Sequence, residues 1–472
     1  MGPLVAQGFA AFLGTLAMLN VGLLMGWPAS SLPKLLHQSS RENDENEIKI
    51  TVEEASWVVS IMIFAAIVGP LLCNFLVDRI GRKWSLGAVV LAMLTSWIIT
   101  GLAQTVELID VGRFIGGLGV GAAFPLTAMY LGEIAEARIR GVLGSTLTIA
   151  FISGQVLSFS VGPWISRAML SLFSALPLVI FLIAFPWLPE SPYFCLMKGA
   201  REKAAASLMW LRRRSDVEKE LSSLEMTVAQ EQKNQNQSRV ASIFKVRGNR
   251  RAFLIGMGLM TFQLLTGTHA ITAYAGVIFE DSGLTGWTSW SLLILGVFEL
   301  VAGICALFVI DLVGRRPLLI ASTFLSALFM LIEGVFFHLK DLEYDTSSFS
   351  WVPLVGLVGF NFAILPGLGG VTWVLIGEIF PTNVKAFASM FLGMYGSVLG
   401  FAVTKLYEPV GSELGIYSVY YFFASVTFVG IFFIYFWVPE TKKLTFDDIQ
   451  KLLDSGSRYN LSEKSIEDTG GK

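Results

Sequence analysis

The chain has 472 residues, of which 54% are hydrophobic and only 15% charged, with a formal net charge of −2. Soluble domains carry roughly 25% charged residues, so this polar skin is too thin for a soluble enzyme or a disordered scaffold. The near-zero charge offers no field for nucleic-acid phosphates, and three cysteines (Cys73, Cys195, Cys305) cannot form a disulfide framework.

A membrane-spanning helix needs about 20 mostly apolar residues. Twelve such runs follow in chain order, at 5–27, 56–77, 84–104, 111–131, 142–163, 168–188, 252–279, 286–310, 317–338, 351–377, 386–407 and 416–438. Long alternating strand patterns are absent, which argues against a membrane barrel. The first run lacks a basic start and is too long for a cleaved signal, so it counts as a span. With the N-terminus inside, 27 of the 34 Lys and Arg residues fall in inside segments. That excess predicts cytoplasmic N- and C-termini. The expected architecture is an all-α membrane protein of twelve transmembrane helices in two six-helix halves, 1–188 and 252–438. A cytoplasmic helical linker (189–251) joins them, and a cytoplasmic tail (439–472) follows. Within the linker, Val217, Leu221, Leu224 and Val228 step along one helix face, with Asp216 as a candidate N-cap.

The halves echo each other. Asp78-Arg79-Ile80-Gly81-Arg82-Lys83 follows span 2, and Asp311-Leu312-Val313-Gly314-Arg315-Arg316 follows span 8. Glu133 and Arg140 close span 4, as Glu378 and Lys385 close span 10. Pro189-Glu190-Ser191-Pro192 ends span 6 and Pro439-Glu440-Thr441-Lys442 ends span 12. The three offsets, 233, 245 and 250, are close to one another, and all six motifs lie on one membrane face. Glycines 81 and 314 allow a tight turn. Arg82 and Arg315 can fork onto carboxylates of a neighbouring helix end, with Glu133 and Glu378 as acceptors. These residues, with Asp78, Arg79, Arg140, Asp311, Arg316 and Lys385, form an expected cytoplasmic gate. The alternative is that the basic residues only anchor the inner face.

These motifs resemble those of the sugar porters of the major facilitator superfamily. The resemblance also includes Gly112-Arg113-Phe114 with the glycine run 117–121, Gly132-Glu133-Ile134-Ala135, and Trp373 with Gly377-Glu378-Ile379-Phe380-Pro381. Gly26-Trp27-Pro28 through Leu32-Pro33-Lys34-Leu35 is similar to the insect facilitated trehalose transporters. The resemblance implies the major facilitator fold and transport of a small sugar, trehalose or another mono- or disaccharide, by alternating access. It also implies a site that uses Gln263 of span 7 and Trp373 of span 10. Where the family has a span-5 Gln this chain has Thr148. Asn positions of the family become His269, Glu299 and Gly396.

Read from the residues alone, Gln263, Thr266 and His269 step by three along span 7, drifting over an arc of roughly 120°. A polar stripe with aromatic neighbours suits a sugar's hydroxyls and C–H faces, while interhelical bonding is the plainer reading. Glu299 lies near the midplane, where an acid costs about 2.5–3.5 kcal/mol on insertion scales, so it should face a cavity or a partner. Together with what the resemblance implies for Thr148 and Trp373, the candidate substrate-binding residues are Gln263, His269, Glu299, Trp373 and Thr148. The histidines lack metal-site spacing, and the glycine run lacks the strand of a dinucleotide fingerprint. No cofactor, metal or nucleic-acid partner is expected; the partners are a small sugar and membrane lipid. The expected function is facilitated diffusion across the plasma membrane, not enzymatic catalysis. Span 1 has no acidic residue, since the first in the chain is Glu42. Proton-coupled symport using Glu299 and a non-transporting sugar sensor stand as alternatives.

Overall fold

The structure, a computed structural model, describes residues 3–36, 48–136, 138–234, 245–284, 286–442 and 444–455. Among them, twelve helices are long and apolar enough to cross a membrane. Spans 1 to 6 are Val5–Leu36, Val52–Ile80, Arg82–Leu102, Val106–Ile134, Arg140–Trp164 and Arg167–Trp187. Spans 7 to 12 are Arg247–Asp281, Thr288–Ile310, Arg315–Asp341, Ser347–Ile379, Val384–Leu414 and Ile416–Trp437. No strand occurs among the described residues.

The largest boundary difference is in span 1, expected to end at 27 but helical through Pro28 and Pro33. A proline lacks the N–H that would bond four residues back, so Pro33 leaves the Ala29 carbonyl without its usual helical donor. Span 7 packs on that carbonyl through Gly276, where a Cβ would lie 2.0 Å from the Ala29 oxygen. Pro33 therefore shapes a helix contact, and neither proline ends the helix.

Spans 1 and 5, 2 and 4, and 3 and 6 pack together in the first half. Spans 7 and 11, 8 and 10, and 9 and 12 do the same in the second. The repeat in the motifs is thus also a repeat in the packing. Between the halves, span 1 meets span 7, span 2 meets span 11, and span 5 meets span 8. Spans 2 and 4 touch nearly backbone to backbone. A Cβ on Gly117 would lie 2.2 Å from the Met62 oxygen, and one on Gly121 2.3 Å from the Ala66 oxygen. The glycine run is a close-packing surface. Gly121→Leu should force the two helices apart and cost about 1–3 kcal/mol. A thermal melt of the purified protein with an unchanged midpoint would refute this.

After span 6, helices run over Pro192–Met197, Arg201–Arg212 and Glu218–Asn234. Val217, Leu221 and Val228 are buried; Val217 and Leu221 pack with Cys195, Ala204 and Leu208, and Leu224 lies against the same cluster. The third helix begins at Glu218, so Asp216 lies one residue too early to be its N-cap. Arg212 anchors these helices to the first half, donating to the Ile134 carbonyl at 2.9 Å and pairing with Glu220 at 2.7 Å. A last helix, Phe446–Ser455, belongs to the second half. Arg251 donates to the Leu453 carbonyl at 3.1 Å, and Gln450 donates to the Ile379 carbonyl at 2.9 Å.

Candidate functional site

The repeated motifs assemble into two equivalent charge clusters at one end of the bundle. In the first half, Arg82 opens span 3 and pairs with Glu133 at the end of span 4, at 3.0 Å. Glu133 also accepts from the Ser191 hydroxyl. Glu190 accepts from the backbone N–H groups of Arg82 at 2.9 Å and Lys83 at 3.0 Å. In the second half, Arg315 pairs with Glu378 at 3.0 Å, and Thr441 donates to the same carboxylate. Glu440 accepts from the backbone N–H groups of Arg315 at 3.0 Å and Arg316 at 3.1 Å. A carboxylate on the free N–H groups of a helix N-terminus meets both its unpaired donors and its dipole. This is the physical role of the two Pro-Glu tags, which their sequence alone does not disclose.

The two glycines serve different ends. Gly81 has φ +95°, the left-handed region that favours glycine, whereas Gly314 has an ordinary φ of −65°. What they share is space: a Cβ would lie 2.4 Å from a Glu190 oxygen at position 81, and 2.5 Å from a Glu440 oxygen at position 314. A turn requirement is therefore the wrong reason at Gly314.

The other expected gate residues are arranged differently. Arg79 is exposed and lies over the Phe75 ring at 3.9 Å. Asp78, Arg140 and Lys385 are exposed and enter none of the ion pairs among the described residues. Arg316 donates to the Tyr435 carbonyl at 2.5 Å. The Asp311 side chain lies outside the described residues. Each cluster stays within its own half, so no described ion pair joins the halves at this end.

At mid-depth, two of the three second-half spans that carry expected site residues, spans 7 and 10, are interrupted, whereas span 8 with Glu299 is continuous. Span 7 breaks between the helices Arg247–Leu265 and Thr268–Asp281, with Gly267 at φ +85°. Gln263 and His269 therefore sit on opposite sides of a break, and the three-residue stripe expected of a continuous helix does not form. Thr266 serves the break itself, donating to the Gln263 carbonyl at 2.6 Å and bonding Thr268 at 2.9 Å. Span 10 widens into a π turn at Leu365–Gly369, held by the Ser322 hydroxyl, which accepts from the Leu368 N–H at 3.1 Å. Interrupted helices at mid-membrane are a recurring way to build carrier sites.

Glu299 is 5% exposed, and its Oε2 has no hydrogen-bond partner among the described residues. Its face of span 8 meets span 5. One turn to either side, Gly296 lies against Val156 and Phe159, and Gly303 against Ile152. Between those contacts on span 5 stands Gln155, buried and with Oε1 also unpartnered. Gln263 Oε1 is a third such atom. Gln155, Gln263 and Glu299 all fall in the middle third of their spans. Sequence reading passed over Gln155; its signal was an amide on the helix face already marked by Thr148.

Thr148 is exposed although Ile152, one turn on, is buried. Spans 5 and 8 thus part toward the motif-bearing end. Trp373 is 46% exposed and lies 3.8 Å from where a Cβ on Gly393 of span 11 would be. His269 meets span 11 at Gly400, beside Ile63 of span 2. None of the five expected substrate residues hydrogen-bonds another.

The opposite end is closed. Trp164 of span 5 meets Trp290 of span 8 edge to face at 5.4 Å. Gly276 packs on Ala29, and Lys405 of span 11 donates to Ser56 of span 2 at 2.6 Å. The arrangement is two halves sealed at one end, with spans 5 and 8 parting toward the other, where spans 2 and 11 still meet through Asn74 and Met390 at 2.7 Å, and with unpartnered acceptors at mid-depth.

Residues 7–453 match the family model described as sugar (and other) transporter. The chain belongs to this family. It is a multi-pass membrane transporter, not an enzyme. The facilitated trehalose transporter Tret1 of Apis mellifera ligustica is 31% identical over 441 residues, covering 93% of this chain and 87% of that one. The Tret1 of Drosophila virilis is 31% identical over 98% of this chain, which spans only 50% of that longer protein. Among solved structures, the inward open xylose transporter XylE from E. coli aligns with a TM-score of 0.75 at 22% identity, over 95% of this chain and 99% of that one. The partially occluded inward open form of XylE aligns at 0.74. This likeness establishes the major facilitator fold.

Proposed function

We propose that this transporter carries trehalose or another small sugar down its gradient by alternating access, with the substrate held between the halves at mid-depth. The observation that carries the reading is the trio of unpartnered acceptors, Gln155 Oε1, Gln263 Oε1 and Glu299 Oε2, at matching depth in spans 5, 7 and 8. Buried acceptors without donors are costly, and a polyol supplies donors to all three. Trp373, His269 and Thr148 complete the proposed lining: an indole face for sugar C–H groups, an imidazole and a hydroxyl. The names of the relatives and the lack of an acid in span 1 support trehalose and uniport. Residues 1–188 and 252–438 act as the two moving bodies. The linker 189–251 and tail 439–472 lie in the cytoplasm, and the protein resides in the plasma membrane.

The charge clusters act as switches within each half. Arg82–Glu133 and Arg315–Glu378 hold the span ends in register. Arg140 and Lys385, exposed in this state, are free to find acids of the other half when the motif-bearing end closes. Such a state-dependent partnership is what biases a two-state equilibrium.

Purified protein in vesicles should take up labelled trehalose saturably and indifferently to an imposed pH gradient. A carrier must release its cargo, so a constant near millimolar, about −4 kcal/mol, is expected. Accumulation driven by the gradient would replace uniport with symport, and no uptake of trehalose or glucose would sink the sugar reading.

A further inference from the structure

We propose that Lys405 is a positioning residue of the closed end: a cation on the second half that locks the gate by seating in an aromatic and acidic recess of the first. Its Nζ donates to Ser56 Oγ at 2.6 Å and lies 4.1 Å from the centre of the Trp57 ring. One turn earlier in span 11, Phe401 packs on the same Trp57 at 6.3 Å and on Phe64 at 5.3 Å. Glu53 and Asp110 lie within electrostatic reach of the ammonium, without forming an ion pair with it. The Ser56 hydroxyl in turn donates to the Glu53 carbonyl at 2.6 Å. Ammonium, ring face and hydroxyl come together only when spans 2 and 11 are in contact, so the interaction is lost when this end opens.

The location gives it leverage. At the motif-bearing end every described ion pair is internal to one half or its attached helices. At the sealed end the halves also meet through an indole pair and a glycine on a backbone carbonyl. Neither carries a charge. Lys405 is a charged tie between the halves in this state, and a cation over an aromatic ring gains strength when water is excluded. The proposal rests on alternating access but not on which sugar is carried.

Spin labels at Lys49→Cys and Glu413→Cys, both exposed at the sealed end, would report the gap in full-length protein whose three native cysteines are replaced by alanine. Lys405→Met should raise the ratio of long to short label distances by about tenfold. Lys405→Arg, which keeps the cation over Trp57, should stay within about twofold. Trp57→Leu should open the gap as Lys405→Met does, and the double variant should add nothing further. Unchanged distances in Lys405→Met would overturn the proposal. So would an equal opening in Lys405→Arg, or full additivity of the two single variants.

Discussion

Arg82→Leu is expected to cut the initial uptake rate per folded molecule by about a hundredfold or more, and to lower the melting midpoint as well. The Arg82 side chain is 5% exposed and its partner Glu133 15%. Removing the guanidinium leaves the Glu133 carboxylate half-buried with only the Ser191 hydroxyl to answer it. Breaking one side of such a pair costs about 3–5 kcal/mol, because the surviving charge is stranded. Arg82 also donates to the Val77 carbonyl at 3.4 Å, so its loss loosens the end of span 2. The equivalent change in the second half, Arg315→Leu, should do less, about tenfold, since Arg315 is 14% exposed and Glu378 28%. Water can then replace part of what the arginine supplied. Arg82→Lys should fall between, keeping charge but losing the fork. Uptake into vesicles, normalised to protein that elutes as a single folded species, gives the ranking. Full activity in Arg82→Leu, or greater harm from Arg315→Leu, would show that the clusters are not coupled to transport in this way.

The clusters were legible from sequence because their chemistry repeats. An Arg beside a Gly after one span, and a Glu at the end of another, recur at nearly constant offset. Their pairing follows from charge alone. The twelve spans were legible because apolar length is a strong signal. Other features depended on neighbours that lie far off in sequence. Gly314 is explained by Glu440 pressing on it, and Pro33 by Gly276 packing on the carbonyl it frees. The break in span 7 is a case of local conformation overriding period. Gln263, Thr266 and His269 share an arc only on an unbroken helix, and Gly267 ends that condition. Gln155 shares the helix face of Thr148, but what sets it apart, a buried oxygen left without a donor, depends on the neighbouring helices and is not written in span 5.

Glu299 separates a substrate-binding carboxyl from a structural one, because the two roles predict opposite changes in stability. The side chain is buried between spans 8 and 5, and one of its oxygens has no donor. If it is kept for the substrate, the empty protein bears a desolvation cost, and Glu299→Leu should hold or raise the melting midpoint. The same change should weaken transport, since a substrate hydroxyl left without its buried partner costs about 1–3 kcal/mol, roughly five- to a hundredfold in apparent affinity. Glu299→Gln, with nearly the same shape and an acceptor oxygen retained, should lose only about threefold. A carboxyl that merely braces neighbouring helices predicts the reverse: a lower midpoint in Glu299→Leu with the apparent affinity of the folded fraction untouched. A proton carrier predicts a third pattern, in which Glu299→Gln abolishes gradient-driven uptake yet leaves sugar exchange intact. Melting midpoints together with the concentration dependence of uptake, taken with and without a pH gradient, distinguish the three. The substrate-binding role fails if Glu299→Leu lowers the midpoint while leaving the apparent affinity unchanged.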